Sequence, residues 1–173
     1  IDARWPGEKR FGLEGCESCI PGLRAALIEA AASFSVSTAV IGMAHRGRLN
    51  VMCNVVGKPM AKILAEFSGS EEPPLSTSGD VKYHLGMRGV LPVDPGVRKA
   101  PHVILEANPS HLEAVVPVAL GRTKALQGKI SDPAHVLPVV IHGDAALAGQ
   151  GVVYESLGLA DLKAFGVGGC IHV

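Results

Sequence analysis

The sequence predicts an α/β fold in which a parallel sheet is flanked by helices, and three observations support this prediction. Apolar runs rich in β-branched residues occur at residues 38–43, 103–107 and 136–141, and such continuous runs are typical of strands covered on both faces. Segments with helical spacing of apolar residues separate the runs, as in βαβ units. Of the 173 residues, 47% are hydrophobic and 18% are charged, which suits one domain with a buried core.

The remaining elements follow in a regular order along the chain. Pro21 suits a first helical turn, and the apolar spacing after it predicts a helix over residues 20–34. Further predicted elements are a helix over residues 47–56, a second ending near residue 67, a third over 110–127 with a break or kink at Pro117, a fourth over 151–165, and a strand beginning near Gly169. Residues 68–79, rich in Ser, Gly, Glu and Pro, and residues 90–99 are predicted loops.

Charge and composition argue against several classes of protein. The formal net charge is zero, with 16 basic and 16 acidic residues, so we expect neither a nucleic-acid groove nor a basic membrane patch. No apolar run approaches the roughly 20 residues of a membrane span, and the polar residues 1–10 do not resemble a signal peptide. Cys16 and Cys19 form a lone CxxC without a second ligand pair, which favours reduced thiols of a cytosolic or matrix-type compartment over zinc. A redox role for this pair stays open.

Polar and ionisable residues follow the end of each predicted strand. The first strand is followed by His45, Arg46 and Arg48, the second by residues 108–111, and the third by residues 142–144. Ligands of open α/β sheets bind at the carboxyl ends of the strands, so we expect these segments to line one crevice. A carboxylate such as Asp144 at this position is a usual anchor for a hard cation. The residues alone therefore indicate an α/β domain with an anion- and metal-binding crevice.

Each of these residues also has a purely structural interpretation. His45 can be a core histidine with satisfied hydrogen bonds, and Arg46 and Arg48 can lie on a solvated loop. Ser110 can cap the helix that follows it, and Asp144 can be a turn residue. A Ser–His–Asp triad can be composed from Ser110, His45 and Asp144, but their spacing does not require one. Phosphate-loop, dinucleotide, zinc-protease and hydrolase-elbow motifs are absent from the sequence.

Five sequence segments show a family resemblance. They are RFGLEG (10–15), IGMAHRGRLNV (41–51), SGDVKYHLGM (78–87), ANPSHLEAV (107–115) and HGDAALAGQGVVYESL (142–157). In this order and spacing they resemble the 2-oxoglutarate dehydrogenase family over nearly the whole chain. The resemblance implies that residues 1–173 are part of the diphosphate- and magnesium-binding domain of the decarboxylating first component, with the remainder of that enzyme absent.

The resemblance also implies an activity. The first component of this family uses thiamine diphosphate and Mg²⁺ to decarboxylate 2-oxoglutarate in the tricarboxylic acid cycle, where the cofactor carries the bond-breaking chemistry. It transfers the succinyl group to the lipoyl arm of dihydrolipoamide succinyltransferase, and it is a homodimer. The implied location is the mitochondrial matrix for a eukaryotic source and the cytoplasm otherwise.

Matching by motif position implies the cofactor contacts. Asp144 resembles the Mg²⁺ ligand that opens the family's thiamine diphosphate motif, and Ala145 and Ala146 follow it against the diphosphate. Ser110 and Leu112 match positions that line the cofactor pocket.

The substrate-binding and catalytic positions are implied in the same way. Arg46 matches an arginine near both cofactor and substrate, where a guanidinium suits a diphosphate or a carboxylate. His45 and His84 match active-site histidines with tasks in keto-acid binding and proton transfer. Ser110 is also implied in substrate binding.

Other functions remain open at this point. The family's Asn-Asn pair, which supplies the second metal ligand, is expected after Val173, so we expect residues 1–173 alone to be inactive. A homologue that uses 2-oxoadipate has the same fold and chemistry, and the residues 82–84 favour 2-oxoglutarate. A non-catalytic anion-binding α/β module and a hydrolase with a transition metal on His45, His84 and Asp144 are the alternatives of other classes.

Overall fold

The computed structural model describes residues 3–7, 11–69, 84–97 and 99–173. The strands in this part are β1 (Thr38–Met43), β2 (Met87–Val90), β3 (His102–Leu105), β4 (Val136–Ile141) and β5 (Ile171–His172). The α-helices are α1 (Cys19–Ser33), α2 (Arg48–Val51), α3 (Met60–Ser68), α4 (Val115–Gln127), α5 (Ala146–Gly149) and α6 (Gly151–Gly158). A π-helical turn (Met52–Val56) continues α2, and a 3₁₀ helix (Pro133–His135) precedes β4. None of the helices described here has both the length and the apolar character that a membrane span needs.

The strands form one sheet in the order β2-β3-β1-β4-β5. β1 pairs in parallel with β3 and β4, and β4 pairs in parallel with β5. The predicted α/β fold with a parallel sheet and flanking helices is therefore confirmed, with one addition. β2 lies antiparallel to β3 at the edge of the sheet, with Met87 opposite Leu105.

β2 escaped prediction because its four residues alternate between half-buried and exposed and include Gly89. That glycine is required where it stands, since a Cβ on Gly89 would clash with the carbonyl oxygen of Val56 in the π-helical turn. The edge strand and the π-helical turn are therefore packed backbone against backbone.

Two predicted helix boundaries are wrong. α4 begins at Val115 rather than at residue 110, and Pro117 lies in its first turn, where a missing N–H removes no intrahelical hydrogen bond. α6 ends at Gly158, and the turns after it carry Leu162 and Phe165 on the surface, so their helical spacing does not reflect burial. The predicted loop over residues 68–79 falls almost entirely outside the described residues, although Ser68 is the last residue of α3.

Both faces of β1 are covered. One face, with Ile41 and Met43, packs in a core shared with α1, α2 and the π-helical turn, and Leu27 of α1 is fully buried there. The other face packs on α4, where Val40 meets Ala119. β1 is therefore the central, fully buried strand of the sheet, as its continuous apolar sequence predicts.

Candidate active site at the carboxyl edge of the sheet

The order of the strands changes direction at β1. The chain passes from β1 to β3 on one side, and after β3 it crosses through α4 to β4 on the other side. Such a change of direction opens the sheet at the carboxyl ends of the central strands. β1, β3 and β4 are mutually aligned, and the segments that follow them, residues 44–48, 106–113 and 142–146, therefore leave the same edge.

The first segment is a tight turn held by residues from the amino-terminal part of the chain. Gly47 has φ of 70°, and its N–H donates to the carbonyl oxygen of Phe11 at 2.8 Å. A side chain on Gly47 would clash with Leu13, so a glycine is needed there for two reasons. The Phe11 ring packs against the His45 ring with centroids 4.2 Å apart. The residues Phe11 to Leu13 thus set the orientation of His45.

His45 and Arg46 differ in burial, since His45 is half-buried and Arg46 is exposed. The exposed side chain of Arg46 donates from Nη1 to the carbonyl oxygen of Gly12 at 3.5 Å. Burial lowers the pKa of His45, and the neighbouring Arg46 and His84 lower it further. This shift favours the neutral imidazole, which is the form that accepts a proton.

The structure brings His84 and Ser110 together across 26 residues of sequence. The His84 Nε2 and Ser110 Oγ atoms lie 3.2 Å apart, within hydrogen-bonding distance. The backbone reinforces this contact, because the Asn108 N–H donates to the His84 carbonyl oxygen at 2.9 Å. Ser110 does not cap α4, whose N-cap residue is Ala114. The helix-capping interpretation of Ser110 is therefore wrong.

The third segment presents a carboxylate to solvent. Asp144 is exposed on the turn after β4, and within the described residues its side chain forms no hydrogen bond or ion pair. Ala145 is exposed and Ala146 is buried, so the chain turns back into the fold after one residue. Leu112 lies beside Gly143, since a Cβ atom on that glycine would be in van der Waals contact with the Leu112 side chain. An unpaired carboxylate oxygen of this kind fits a hard cation such as Mg²⁺.

Sequence reasoning missed two residues next to this turn. Glu113 accepts hydrogen bonds at Oε2 from His142 Nδ1, at 2.6 Å, and at Oε1 from the Gly143 N–H, at 3.2 Å. His142 Nε2 lies 2.7 Å from Nδ1 of His172, and the two rings stack. The only signal in the sequence that Glu113 is buried is the apolar character of the residues that follow it. His172 had no signal at all, since its partner lies 30 residues away.

Arg48 does not lie on a solvated loop but is fully buried. Its guanidinium donates to the carbonyl oxygens of Met43, at 3.1 Å, of Leu85, at 2.8 Å, and of Glu106. Burial lowers its pKa to about 10, an effect that the charge of Glu106 opposes. Arg48 therefore remains a cation at neutral pH and fastens the ends of β1 and β3 to the segment that carries His84.

Replacing this side chain tests its role in holding the edge of the sheet. Arg48→Met keeps the apolar volume but leaves three carbonyl groups without their donor, and we expect it to lower the local opening free energy by roughly 3–5 kcal/mol. Hydrogen–deuterium exchange of the amides in β1 and β3 measures this change. Arg24→Met is the control, since among the described residues Arg24 donates a single side-chain bond, to the Asn54 carbonyl oxygen near the surface. Equal protection in both variants would contradict the prediction.

Two alternatives raised by the sequence find no support in this geometry. Among residues 3–7, 11–69, 84–97 and 99–173, no three His, Cys, Asp or Glu side chains group as a metal site, so the hydrolase ligand set of His45, His84 and Asp144 is not assembled. Cys16 and Cys19 are both free thiols. Burial raises the pKa of Cys19, and the neighbouring Cys16 raises it by a smaller amount. A raised pKa lowers the thiolate fraction of Cys19.

Comparison with known proteins identifies the family. The family model described as dehydrogenase E1 component matches residues 1–173. The chain belongs to the dehydrogenase E1 component family. Thiamine diphosphate dependence is general in this family, which accords with the cofactor implied by the sequence motifs.

Curated relatives of this E1 chain include three eukaryotic proteins. It is 50% identical over 98% of its length to the mitochondrial 2-oxoglutarate dehydrogenase of Schizosaccharomyces pombe, and 49% identical over its whole length to that of Saccharomyces cerevisiae. It is 46% identical over 98% of its length to a mitochondrial 2-oxoglutarate dehydrogenase-like protein of Xenopus laevis. The chain spans 17% of the length of each of these relatives.

Proposed function

We propose that this chain is part of a mitochondrial 2-oxoglutarate dehydrogenase first component, and that it supplies the diphosphate and metal side of the active site. The observation that carries the proposal is 50% identity, over 98% of the chain, to a relative with that name. The geometry supports it, because the residues implied in cofactor and substrate binding lie at one edge of the sheet, where His84 precedes the antiparallel β2 and the others follow parallel strands. The likeness of all three named relatives to this chain disfavours a non-catalytic module.

Cofactor binding is proposed for one part of this edge. Thiamine diphosphate, when bound, supplies the nucleophilic carbon and the electron sink for decarboxylation of a 2-oxo acid. Asp144 would hold Mg²⁺ with one carboxylate, in keeping with the few protein ligands that Mg²⁺ uses when phosphate oxygens complete its shell. The residues proposed to line the cofactor are Arg46, Ser110, Leu112, Asp144, Ala145 and Ala146.

Substrate binding is proposed for the part around the turn after β1. Arg46 and the His84–Ser110 pair would bind the carboxylates and keto oxygen of 2-oxoglutarate, since a guanidinium and hydrogen-bond donors suit these groups. The neutral imidazole of His45 would accept or hold a proton near the reacting carbon. The proposed partners of the full-length protein are a second copy of itself and the lipoyl arm of dihydrolipoamide succinyltransferase.

Substrate preference tests the proposal. We expect the full-length protein, with thiamine diphosphate and Mg²⁺, to decarboxylate 2-oxoglutarate with a kcat/KM at least about tenfold above that for 2-oxoadipate, because one extra methylene is worth about 10–200-fold in a fitted site. Carbon dioxide release with each acid measures this ratio, and omission of Mg²⁺ is the control. A preference for 2-oxoadipate would assign the protein to the homologue. Cofactor binding without turnover of either acid would identify a non-catalytic module.

A further inference from the structure

A buried carboxylate and two imidazoles form a continuous hydrogen-bonded row beside the proposed metal ligand. The row runs from Glu113 through His142 to His172, with donor–acceptor distances of 2.6 and 2.7 Å. The Glu113 and His142 side chains are each only 3% exposed. A glutamate is rarely buried to this extent unless its oxygens are engaged, and here both oxygens accept hydrogen bonds from the turn after β4.

We propose that Glu113 is a positioning residue that holds the turn bearing Asp144 in the orientation that binds the metal of the cofactor. This inference rests on the proposed function and adds to it a residue that contacts neither cofactor nor substrate. Glu113 grips the turn at two points, the His142 ring and the Gly143 N–H, and the next residue in the chain is Asp144. Two bonds from one rigid group fix both the position and the tilt of the turn.

The backbone at Glu113 is consistent with a demanding geometric role. Glu113 has φ of 68°, a left-handed conformation that costs a non-glycine residue about 1–2 kcal/mol. Glu113 directly precedes Ala114, which is the N-cap residue of α4. Such strain persists where the surrounding contacts enforce it, and it is common beside functional sites.

The row also joins two neighbouring strands. A carboxylate can only accept, so the hydrogen between Glu113 and His142 lies on Nδ1 of the imidazole, and Nε2 of His142 shares a second hydrogen with Nδ1 of His172. Burial, and then the nearby His142, lower the pKa of His172, which favours its neutral form. His172 lies in β5, opposite Val140 of β4. Glu113 therefore orders the end of β4 and the side chain of β5 at the same time.

Three variants of Glu113 in the full-length protein separate geometry from charge. Glu113→Gln keeps the length of the side chain, and its amide can still accept from Gly143 and donate to His142 with the protons of the row reversed. Glu113→Asp keeps the charge and tolerates the left-handed backbone, but its shorter side chain cannot reach both donors. Glu113→Ala removes both bonds. Calorimetric titration of each variant with thiamine diphosphate and Mg²⁺ gives the affinity without relying on turnover.

We expect the apparent Kd for the cofactor to rise by about 10–100-fold in Glu113→Ala and Glu113→Asp, as for other residues that orient a metal ligand. The apparent Kd of Glu113→Gln should stay within about threefold of the wild-type value, because this variant keeps both hydrogen bonds and the loss of even one is expected to raise the Kd by more than this. Glu66→Ala is the control: Glu66 is a glutamate of α3 that pairs with Lys58, and α3 lies outside the segments that leave the carboxyl edge of the sheet. The affinity of this control variant for thiamine diphosphate should equal that of the wild type.

Opposite results would overturn the inference. Wild-type affinity in Glu113→Asp together with a loss in Glu113→Gln would show that charge, not orientation, is what Glu113 provides. Equal losses in Glu66→Ala and Glu113→Ala would show general destabilisation. If the wild-type protein itself fails to bind thiamine diphosphate with Mg²⁺, the proposed function fails. Binding by the wild type and by all Glu113 variants alike would leave that function standing and refute only the role of Glu113.

Discussion

Replacing Asp144 by alanine is expected to abolish Mg²⁺-dependent binding of thiamine diphosphate by the full-length protein. Asp144 is exposed on the turn after β4, and its carboxylate has no hydrogen bond or ion pair with the part of the chain that the structure describes. Without it, a hard cation loses an anionic oxygen ligand and the diphosphate loses its bridge to the protein. The loss should exceed the roughly 10–100-fold effect of removing a residue that only orients a ligand. Calorimetry with and without Mg²⁺ measures it.

The control for this substitution is Asp161→Ala. Asp161 is also an exposed aspartate in a turn, but it follows α6 and lies outside the segments that leave the carboxyl edge of the sheet. Its loss should leave the affinity for thiamine diphosphate unchanged. Wild-type affinity in Asp144→Ala would remove Asp144 from the site and leave the metal without a protein ligand in this chain.

The second large effect is expected from His84→Ala. The side chain of His84 meets Ser110, and its backbone is held by Asn108, so its imidazole has a defined place at the crevice. If it binds the keto acid or moves a proton, its removal should lower turnover of 2-oxoglutarate by about 10²–10⁴-fold. Affinity for thiamine diphosphate should change little. Steady-state kinetics and cofactor calorimetry on the same preparation give the two quantities.

His102→Ala serves as the comparison for His84. His102 is exposed at the amino-terminal end of β3, the end opposite the crevice. Turnover in this variant should match the wild type. A parallel loss of turnover and cofactor affinity in His84→Ala would mean that His84 supports the fold of the site rather than the chemistry.

The central strands could be predicted closely from the sequence because their side chains are buried on both faces. The limits of β1 and β4 agree with the apolar runs, since Ser37 and His135 precede these runs and a histidine follows each within two residues. β2 could not be predicted, because an edge strand is half exposed and its pairing with β3 depends on contacts that local sequence does not encode. The overextended α6 shows the reverse error, in which Leu162 and Phe165 keep helical spacing without being buried.

The candidate site was predictable where it depends on position in the sheet and not where it depends on distant partners. His45, Ser110 and Asp144 stand out because polar residues follow apolar strands. The role of Glu113 was hidden, because its partners, His142 and Gly143, are 29 and 30 residues away.

The burial of Arg48 also has a consequence for the order of events in folding. Its three acceptors lie 5, 37 and 58 residues away in sequence, so two of its bonds close long loops and form only after β3 has docked on β1. Removing a guanidinium from water costs free energy unless those carbonyl groups are in place to accept its hydrogen bonds. We therefore expect Arg48 to contribute little to the rate of folding. Bonds that form after the folding barrier lower the rate of unfolding instead, and we expect this of the two long-range bonds of Arg48.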